Sequence, residues 1–329
     1  MIEFLDYDIK FPDLVYDIVD YFRANNNVKE PRYKSILDYC STSQFSKSST
    51  INGEMIQPRV VQIICENLVR KGELNCIKSG HGFAGVDSNY LYLPKSDEVF
   101  LQKHPSFILR LNCMAYGFPF IYTEYKKIVL PVIVKDSKGD IAMGTCFRFN
   151  SGILTAKHCL EAATVSVMGY TADQLKQCPV FINSEDDKLD MAYIELGEPS
   201  PVLHDDANVL DEVLAMGYPK IPMFNDFCAA ERATVSSIAT RGAVASLANQ
   251  YMTPSVDRLM LITARIRGGN SGGPIINEDG AVVGVAFVEP FSEGNYDDMG
   301  YGIAYPISVF FQMLEHRKTM SVNFVDNLL

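Results

Sequence analysis

The chain has 329 residues, enough for two domains that each bury a core, and its 47% of hydrophobic residues excludes a largely disordered protein. The net charge is −11, and the acidic excess lies mostly in the later part: the first 105 residues hold 12 Lys and Arg against 14 Asp and Glu, whereas the remainder holds 17 against 26. Such a negative field disfavours nucleic acid as a partner, and no apolar run reaches the roughly 18 residues that a membrane span needs.

The beginning of the chain and its cysteines indicate a cytoplasmic protein. Residues 1–6 are acidic and lack the basic start and long apolar run of a secretory signal. The eight cysteines show no Cys-x-x-Cys spacing, which favours thiols over disulfides. No group of His and Cys residues has the spacing of a metal site, so we expect neither a metal nor an organic cofactor.

The first part of the chain has the pattern of three helices followed by a hairpin. Apolar residues at helical spacing predict helices over 11–22, around 33–40 and over 57–71. Two short apolar runs on either side of a Gly-containing turn, at 74–77 and 89–93, predict the hairpin. This order of elements resembles a winged-helix domain, which we assign to residues 1–95 as a small α+β domain.

Winged-helix domains often bind DNA through the third helix, with Lys and Arg reaching the phosphates. In this chain that segment carries three basic residues and two acidic ones, a surplus of only one. They are Arg59, Arg70 and Lys71, against Glu54 and Glu66. We therefore expect this domain to bind a protein activator or to self-associate rather than to bind nucleic acid.

Residues 96–127 connect this domain to the rest of the chain. The segment 107–122 is too rich in apolar residues for a free linker. We expect it to pack on the second domain or to bridge both domains.

From residue 128 onward the sequence consists of short apolar runs separated by turn signals, which predicts a mainly β domain, a sandwich or a barrel. A helix with Val309, Phe310, Met313 and Leu314 facing inward closes the domain at about residue 318. Residues 319–329 are predicted to be a C-terminal tail. The predicted strands are 128–134, 141–149, 152–155, 163–168, 191–196, 212–216 and 259–264.

A glycine-rich turn that contains one serine stands out in this domain. Residues 268–274 read Gly-Gly-Asn-Ser-Gly-Gly-Pro, and such a run predicts a tight turn that exposes the Ser271 hydroxyl. The amides of Gly269 and Ser271 can then point into one small space, which suits a developing oxyanion. A glycine-rich surface loop without a function is the alternative.

A serine hydroxyl needs a base, and the base needs a group that orients it. His158 follows the apolar strand 152–155 in the word Thr-Ala-Lys-His, and Asp190 precedes the alternating strand 191–196. Asp186 and Asp187 are rivals for the orienting role, but only Asp190 stands at the head of that strand. We therefore predict His158 as base and later acid, with Asp190 as its partner.

The order His, Asp, Ser and the words around these residues resemble the trypsin-like (chymotrypsin-fold) serine peptidases, above all the bacterial HtrA-type branch. The resemblance covers roughly residues 128–316, and no PDZ-like region follows the barrel. It implies a double six-stranded antiparallel β-barrel over residues 128–318, with the triad in the cleft. It also implies a protein or peptide substrate.

The resemblance implies further residues for substrate binding. Arg265, six residues before the serine, stands at the floor of the specificity pocket, unless it is an ordinary exposed arginine of a loop. Gly302 lines the pocket wall, and 285–289 is the edge strand that pairs with a peptide, with Phe287 packing on the substrate. Asn270 replaces an Asp of animal trypsins, which argues against activation by clipping at the N-terminus.

The sequence thus predicts a cytoplasmic serine endopeptidase gated by its N-terminal domain, with no membrane partner. One alternative is a nucleic-acid- or protein-binding regulator of winged-helix type, in which the peptidase-like domain is catalytically silent. Another is an esterase that uses the same triad.

Overall fold

In the computed structural model the chain forms two compact units, residues 1–121 and residues 122–329. None of the helices within the described residues is long and apolar enough to cross a membrane. The structure describes residues 4, 7–23, 33–42, 56–77, 88–93, 102–219, 236–248, 259–287, 300–326 and 328.

The first unit combines helices with a small antiparallel sheet whose strand order is β1-β3-β2. The three predicted helices and the predicted hairpin are confirmed, whereas β1 and α5 were not expected. The turn predicted at 79–82 lies outside the described residues. The helices are α1 Tyr7–Lys10, α2 Leu14–Phe22, α3 Ile36–Cys40, α4 Pro58–Arg70 and α5 Pro105–Tyr116, and the strands are β1 Lys34–Ser35, β2 Asn75–Ile77 and β3 Asn89–Leu91.

Local sequence explains where these helices begin and which face they bury. Ser35 caps α3 through a capping box with Asp38, and Pro58 occupies the first turn of α4, where its missing amide proton costs nothing. One apolar stripe of α4 is buried. A second helix, α5, packs against α4, and the Asn67 side chain donates to the Ala115 carbonyl at 2.7 Å. Part of the predicted connecting segment is therefore a helix of the first unit.

The second unit is mainly β and is preceded by α6, Phe118–Tyr125. The predicted strands are confirmed within a residue or two at each end. Its strands are β4 Val129–Lys135, β5 Ile141–Phe149, β6 Gly152–Thr155, β7 Thr164–Val167, β8 Val180–Asn183, β9 Ala192–Glu195, β10 Leu203–His204, β11 Glu212–Gly217, β12 Ile238–Ala248, β13 Leu259–Ile262, β14 Pro274–Asn277, β15 Ala281–Ala286, β16 Gly302–Pro306 and β17 Arg317–Thr319. Its helices are α7 Ala172–Lys176 and α8 Ser308–Glu315.

Six of these strands form a closed barrel. The order β15-β14-β11-β12-β13-β16 closes on itself because β16 also pairs with β15. The interior is filled by small and β-branched apolar side chains that alternate along the strands. They include Val213, Ala215, Val244, Ile262, Ile275, Val283 and Ala304.

The other strands form a sheet in the order β17-β8-β9-β6-β5-β4-β7. In the described residues this sheet is a half-barrel, and together with the closed barrel it is consistent with the chymotrypsin-like double barrel that the sequence predicted. The predicted C-terminal tail belongs to this part of the structure: β17 pairs with β8, and the buried Phe324 bridges to Val165. Phe324 belongs to the core of this sheet, and Met320 and Val322 pack against that core.

Candidate active site

His158 and Asp190 come together because two neighbouring strands deliver them. Strand β6 pairs antiparallel with β9, with Thr155 opposite Ala192, so the residues just beyond these positions lie side by side. The His158 Nδ1 atom lies 2.6 Å from Asp190 Oδ2, and the His158 amide donates to Asp190 Oδ1 at 2.9 Å. One carboxylate therefore fixes both the ring and the backbone of the histidine.

The two rival carboxylates are used elsewhere. Asp187 is 81% exposed at its side chain and forms an ion pair with Lys318 at 2.7 Å. Asp186 is buried and accepts a hydrogen bond from the Lys188 amide at 2.9 Å, which shapes the loop before β9. The carboxylate that contacts the imidazole is that of Asp190.

The surroundings of His158 change its pKa in two opposing ways. Desolvation of the ring lowers the pKa, but the hydrogen bonds with Asp190 and Cys159 and the negative charge of Asp190 raise it. The net effect raises the pKa of His158 from 6.5 to about 10. The protonated form of this imidazole is thus strongly stabilised in the folded protein.

Ser271 lies in a turn between β13 and β14 and is only 3% exposed. Its carbonyl accepts a hydrogen bond from the Thr145 amide at 3.0 Å. Gly144 lies between this carbonyl and Cys159, the residue after the histidine. A Cβ built on Gly144 would lie 2.4 Å from Cys159 Sγ and 3.8 Å from the Ser271 carbonyl oxygen. The serine turn therefore packs beside the histidine turn, although no hydrogen bond joins the Ser271 hydroxyl to His158 in the described structure.

Most peptide groups of the serine turn are anchored. The Asn270 amide donates to the Arg267 carbonyl at 2.9 Å, and the Asn270 carbonyl accepts from the Gly273 amide at 2.8 Å. The Gly272 amide donates to the Ala286 carbonyl at 2.8 Å. The turn is thus held from within and from β15 of the barrel.

Three amides of this turn have no hydrogen-bond partner among the described residues, those of Gly268, Gly269 and Ser271. The Ser271 amide shares a trans peptide with the Asn270 carbonyl, so the two groups point in opposite directions. Since that carbonyl points to Gly273, the Ser271 amide points away from the interior of the turn. Both predicted oxyanion donors are therefore among the amides that the turn does not use for itself.

Gly272 is the position where this turn needs glycine. Its φ is +84°, and a Cβ there would lie 2.2 Å from the Thr145 carbonyl oxygen and 2.6 Å from the Ala156 amide nitrogen. We expect Gly272→Ala to lower the free energy of unfolding by about 2–5 kcal/mol, from left-handed backbone strain plus overlap with backbone atoms that cannot move aside. Urea unfolding of the purified variant measures this loss.

Gly197 offers a matched control for that substitution. Its φ is +79°, but nothing lies within 4 Å of a Cβ built on it. Gly197→Ala should therefore lose only the backbone part, about 1–2 kcal/mol. Equal losses at both positions would show that close packing of the serine turn is not the cause.

The residues that were predicted to bind substrate differ in their exposure and in their neighbours. Arg265 is exposed, and its carbonyl accepts from Thr240. Gly302 is buried, and a Cβ on it would lie 2.8 Å from Ile266 Cγ1. The side chain that lies against Gly302 is therefore apolar. Sequence reasoning missed Ile266, although the alternation of apolar and polar residues along 262–266 could have indicated it.

Phe287 is only 3% exposed and stacks on Tyr305 with ring centroids 4.0 Å apart and planes 10° apart. Its side chain is therefore packed against Tyr305 of β16. The strand β15 ends at Ala286, and residues 288 and 289 of the predicted edge segment lie outside the described residues.

Within the described residues, no group of His, Cys, Asp or Glu has the arrangement of a metal site. The seven described cysteines are free thiols, including the buried Cys146 and Cys159, while Cys228 lies outside the described residues.

A closed β-barrel beside a half-barrel, with a His–Asp pair next to a glycine-flanked serine, defines the class of chymotrypsin-like proteins. Residues 144–285 match the family described as Trypsin-like peptidase domain. This part of the chain is similar to trypsin-like peptidase domains.

Comparison with solved structures found HtrA-type and related serine proteases. The Rv3671c protease from M. tuberculosis in its active form is 18% identical, with a TM-score of 0.45, over 61% of this chain and 86% of that one. The HtrA-type protease AlgW with a tripeptide is 18% identical, with a TM-score of 0.44, over 59% of this chain. This chain spans 61% of AlgW, less than two thirds of its length.

A serine endoprotease from Yersinia pestis is 19% identical to this chain. The match has a TM-score of 0.40 and covers 59% of this chain and 64% of that one. The comparison with curated proteins found no match.

Proposed function

We propose that this protein is a serine endopeptidase that cleaves peptide bonds with the triad His158, Asp190 and Ser271. The observation that carries the proposal is the His158–Asp190 pair, in which both carboxylate oxygens hold the histidine. Asp190 accepts the Nδ1 proton, which leaves Nε2 as the atom that can take a proton from a hydroxyl. A trypsin-like peptidase domain is the setting in which this pair serves acyl transfer.

The reaction follows from these positions. Ser271 turns toward His158 when substrate binds, since hydrogen bonds of this kind are often absent until the substrate complex forms. The hydroxyl attacks the peptide carbonyl while Nε2 takes its proton, and the amides of Gly269 and Ser271 stabilise the oxyanion. His158 then protonates the leaving amine, and water releases the acyl group by the same route in reverse.

The proposal is tested with an unstructured protein substrate and a small ester. We expect the full chain to cleave β-casein in the presence of a metal chelator and to lose this activity after treatment with diisopropyl fluorophosphate. Turnover of the ester without cleavage of casein or of a peptide library would support the esterase alternative instead. Cleavage that the chelator abolishes would contradict the serine mechanism.

The pKa of His158 predicts the pH dependence. A base acts in its neutral form, and neighbours that raise the pKa of His158 keep it protonated up to higher pH. We expect kcat/KM for a chromogenic peptide to increase with pH, with a midpoint on the alkaline side of 6.5. Asp190→Asn should move this midpoint to lower pH, because it removes the hydrogen bond and the charge that raise the pKa. A midpoint that is below 6.5 in the native protein contradicts this reading.

For the first unit we propose a role in binding a protein partner that gates the peptidase. The basic side chains of α4 are partly engaged within their own helix: Arg59 donates to Gln62, Gln62 to Glu66, and Arg70 to Asn67. These contacts hold both guanidinium groups along the helix, and the surplus of one basic residue in this segment is a weak electrostatic footprint for phosphates. A salt-dependent mobility shift of labelled duplex DNA with the full chain would overturn this assignment in favour of a nucleic-acid-binding regulator.

A further inference from the structure

Thr145, in the middle of β5, is fully buried and contacts the serine turn with both its backbone and its side chain. Its amide donates to the Ser271 carbonyl at 3.0 Å. Its hydroxyl donates to the Gly269 carbonyl at 2.6 Å and accepts from the Tyr218 amide at 2.9 Å. The Thr155 hydroxyl donates to the Thr145 carbonyl at 2.7 Å. Every polar group of this one residue is therefore engaged at or beside the turn.

The direction of the hydroxyl bond is settled by its neighbours. The Tyr218 backbone nitrogen can only donate, so it occupies a lone pair of Thr145 Oγ1. The proton of the hydroxyl is then free to point at the Gly269 carbonyl, which can only accept. This arrangement has one orientation and leaves none of the three groups unpaired.

The hydrogen bond from the Thr145 hydroxyl to the Gly269 carbonyl acts on a glycine pair, whose backbone angles are little restricted by the residues themselves. Gly268 and Gly269 carry no side chains, and Gly269 adopts a φ of +98°. The peptide between Gly269 and Asn270 is held at its amide by Arg267 and at its carbonyl by the Thr145 hydroxyl. Without the hydroxyl, this carbonyl has no partner among the described residues, and the Asn270 amide alone holds the peptide that follows the two glycines.

We propose that the Thr145 hydroxyl is a positioning group that fixes the serine turn so that the amides of Gly269 and Ser271 converge on the oxyanion. The inference rests on the proposed peptidase function and extends it to a residue outside the triad. Thr145 touches no substrate. It acts through the Gly269 carbonyl, so its removal should weaken binding of the transition state and leave binding of the ground state nearly unchanged.

The test compares Thr145→Val, which keeps the shape and removes the hydroxyl, with Thr145→Ser, which keeps the hydroxyl. We expect Thr145→Val to lower kcat at least about tenfold with little change in KM, which is less than the roughly 100- to 1,000-fold loss when an oxyanion donor itself is removed. Affinity for a peptide boronate, which forms the tetrahedral adduct, should fall in parallel. Thr145→Ser should restore both quantities to near the native values.

Thr164 supplies a matched control for the same chemical change. It lies in β7 of the half-barrel, and its hydroxyl is buried without a hydrogen-bond partner among the described residues. Thr164→Val should leave kcat, KM and boronate affinity unchanged. If Thr145→Val does not fold, Thr145→Ala is compared with Thr145→Ser, because both lack the methyl group and only the first lacks the hydroxyl.

The outcomes separate this inference from the proposed function. Native protein that cleaves no peptide and reacts with no boronate contradicts the peptidase proposal itself. Native activity with equal kcat in the hydroxyl-bearing and hydroxyl-free variants overturns the role of Thr145 alone. A rise in KM as large as the fall in kcat also overturns this role. So does a Thr145→Ser variant that fails to restore kcat and boronate affinity. Either result indicates general damage to the structure.

Discussion

Ser271→Ala is expected to lower kcat for peptide cleavage by about a millionfold, to the level left by transition-state binding without a nucleophile. The loss is this large because no other hydroxyl can form the acyl-enzyme between the His158 ring and the amides of the turn. Stability should not change much, since the hydrogen bond that holds this residue in place comes from its backbone carbonyl. Steady-state kinetics on a fluorogenic peptide and a thermal unfolding curve measure both quantities.

Ser166 provides the control for that experiment. It is a buried serine, 6% exposed, in β7 of the half-barrel, whereas Ser271 lies in the turn between β13 and β14. Ser166→Ala should retain native kcat within about threefold, as expected for a small change outside the site. If Ser271→Ala kept more than about 1% of native activity, the serine mechanism would be wrong.

Asp190→Asn is the second substitution with a large expected effect, a loss of about 10⁴-fold in kcat at neutral pH. An amide in place of the carboxylate can donate to Nδ1 and thereby favour the tautomer in which the proton sits on Nε2. In that tautomer His158 cannot accept the proton of the serine. Removal of the negative charge also destabilises the imidazolium that forms during the reaction.

Asp187→Asn is the matched comparison, because it makes the same change three residues earlier in the same loop. Asp187 contacts Lys318 on the surface, and ion pairs between exposed side chains contribute little to stability. We expect this variant to keep nearly native kcat. Similar losses in the two variants would mean that the loop as a whole, and not the Asp190 carboxylate, supports the activity.

The strands and helices of both units were largely predictable because their apolar periodicity reflects the cores that they fill. Strand β5 was predicted with its observed bounds, Ile141–Phe149. The meeting of His158 and Asp190 was predictable only from the resemblance, since it depends on the pairing of β6 with β9. That pairing is a long-range contact, and periodicity carries no information on which strands become neighbours.

Other features could not be read from the sequence for identifiable physical reasons. The α5 segment is apolar along most of its length and has no clear alternation of faces, so a packed helix and a connecting segment look alike. Whether the second sheet closes into a full barrel depends on which of its outer strands pair, and that pairing is a property of the assembled sheet. Thr145 resembles any strand threonine, and its importance appears only when Gly269 and Tyr218 are seen on either side of its hydroxyl.

The residues that were predicted to line the specificity pocket show that a position counted from the serine does not fix the direction of its side chain. Counting back from the serine selected Arg265, but neighbouring residues of an extended segment point to opposite sides. Arg265 is exposed, whereas Ile266 lies against Gly302. A shift of one position thus exchanges a charged side chain for an apolar one at the place where a substrate side chain is expected.

Reaction with a fluorophosphonate tests the central claim most directly. The native full-length protein is treated with the reagent, digested, and mapped by mass spectrometry, with Ser271→Ala treated in parallel. We predict one adduct per chain, located on Ser271, and none on the variant. An adduct on another residue, labelling of the variant, or no adduct on the native protein would contradict the account.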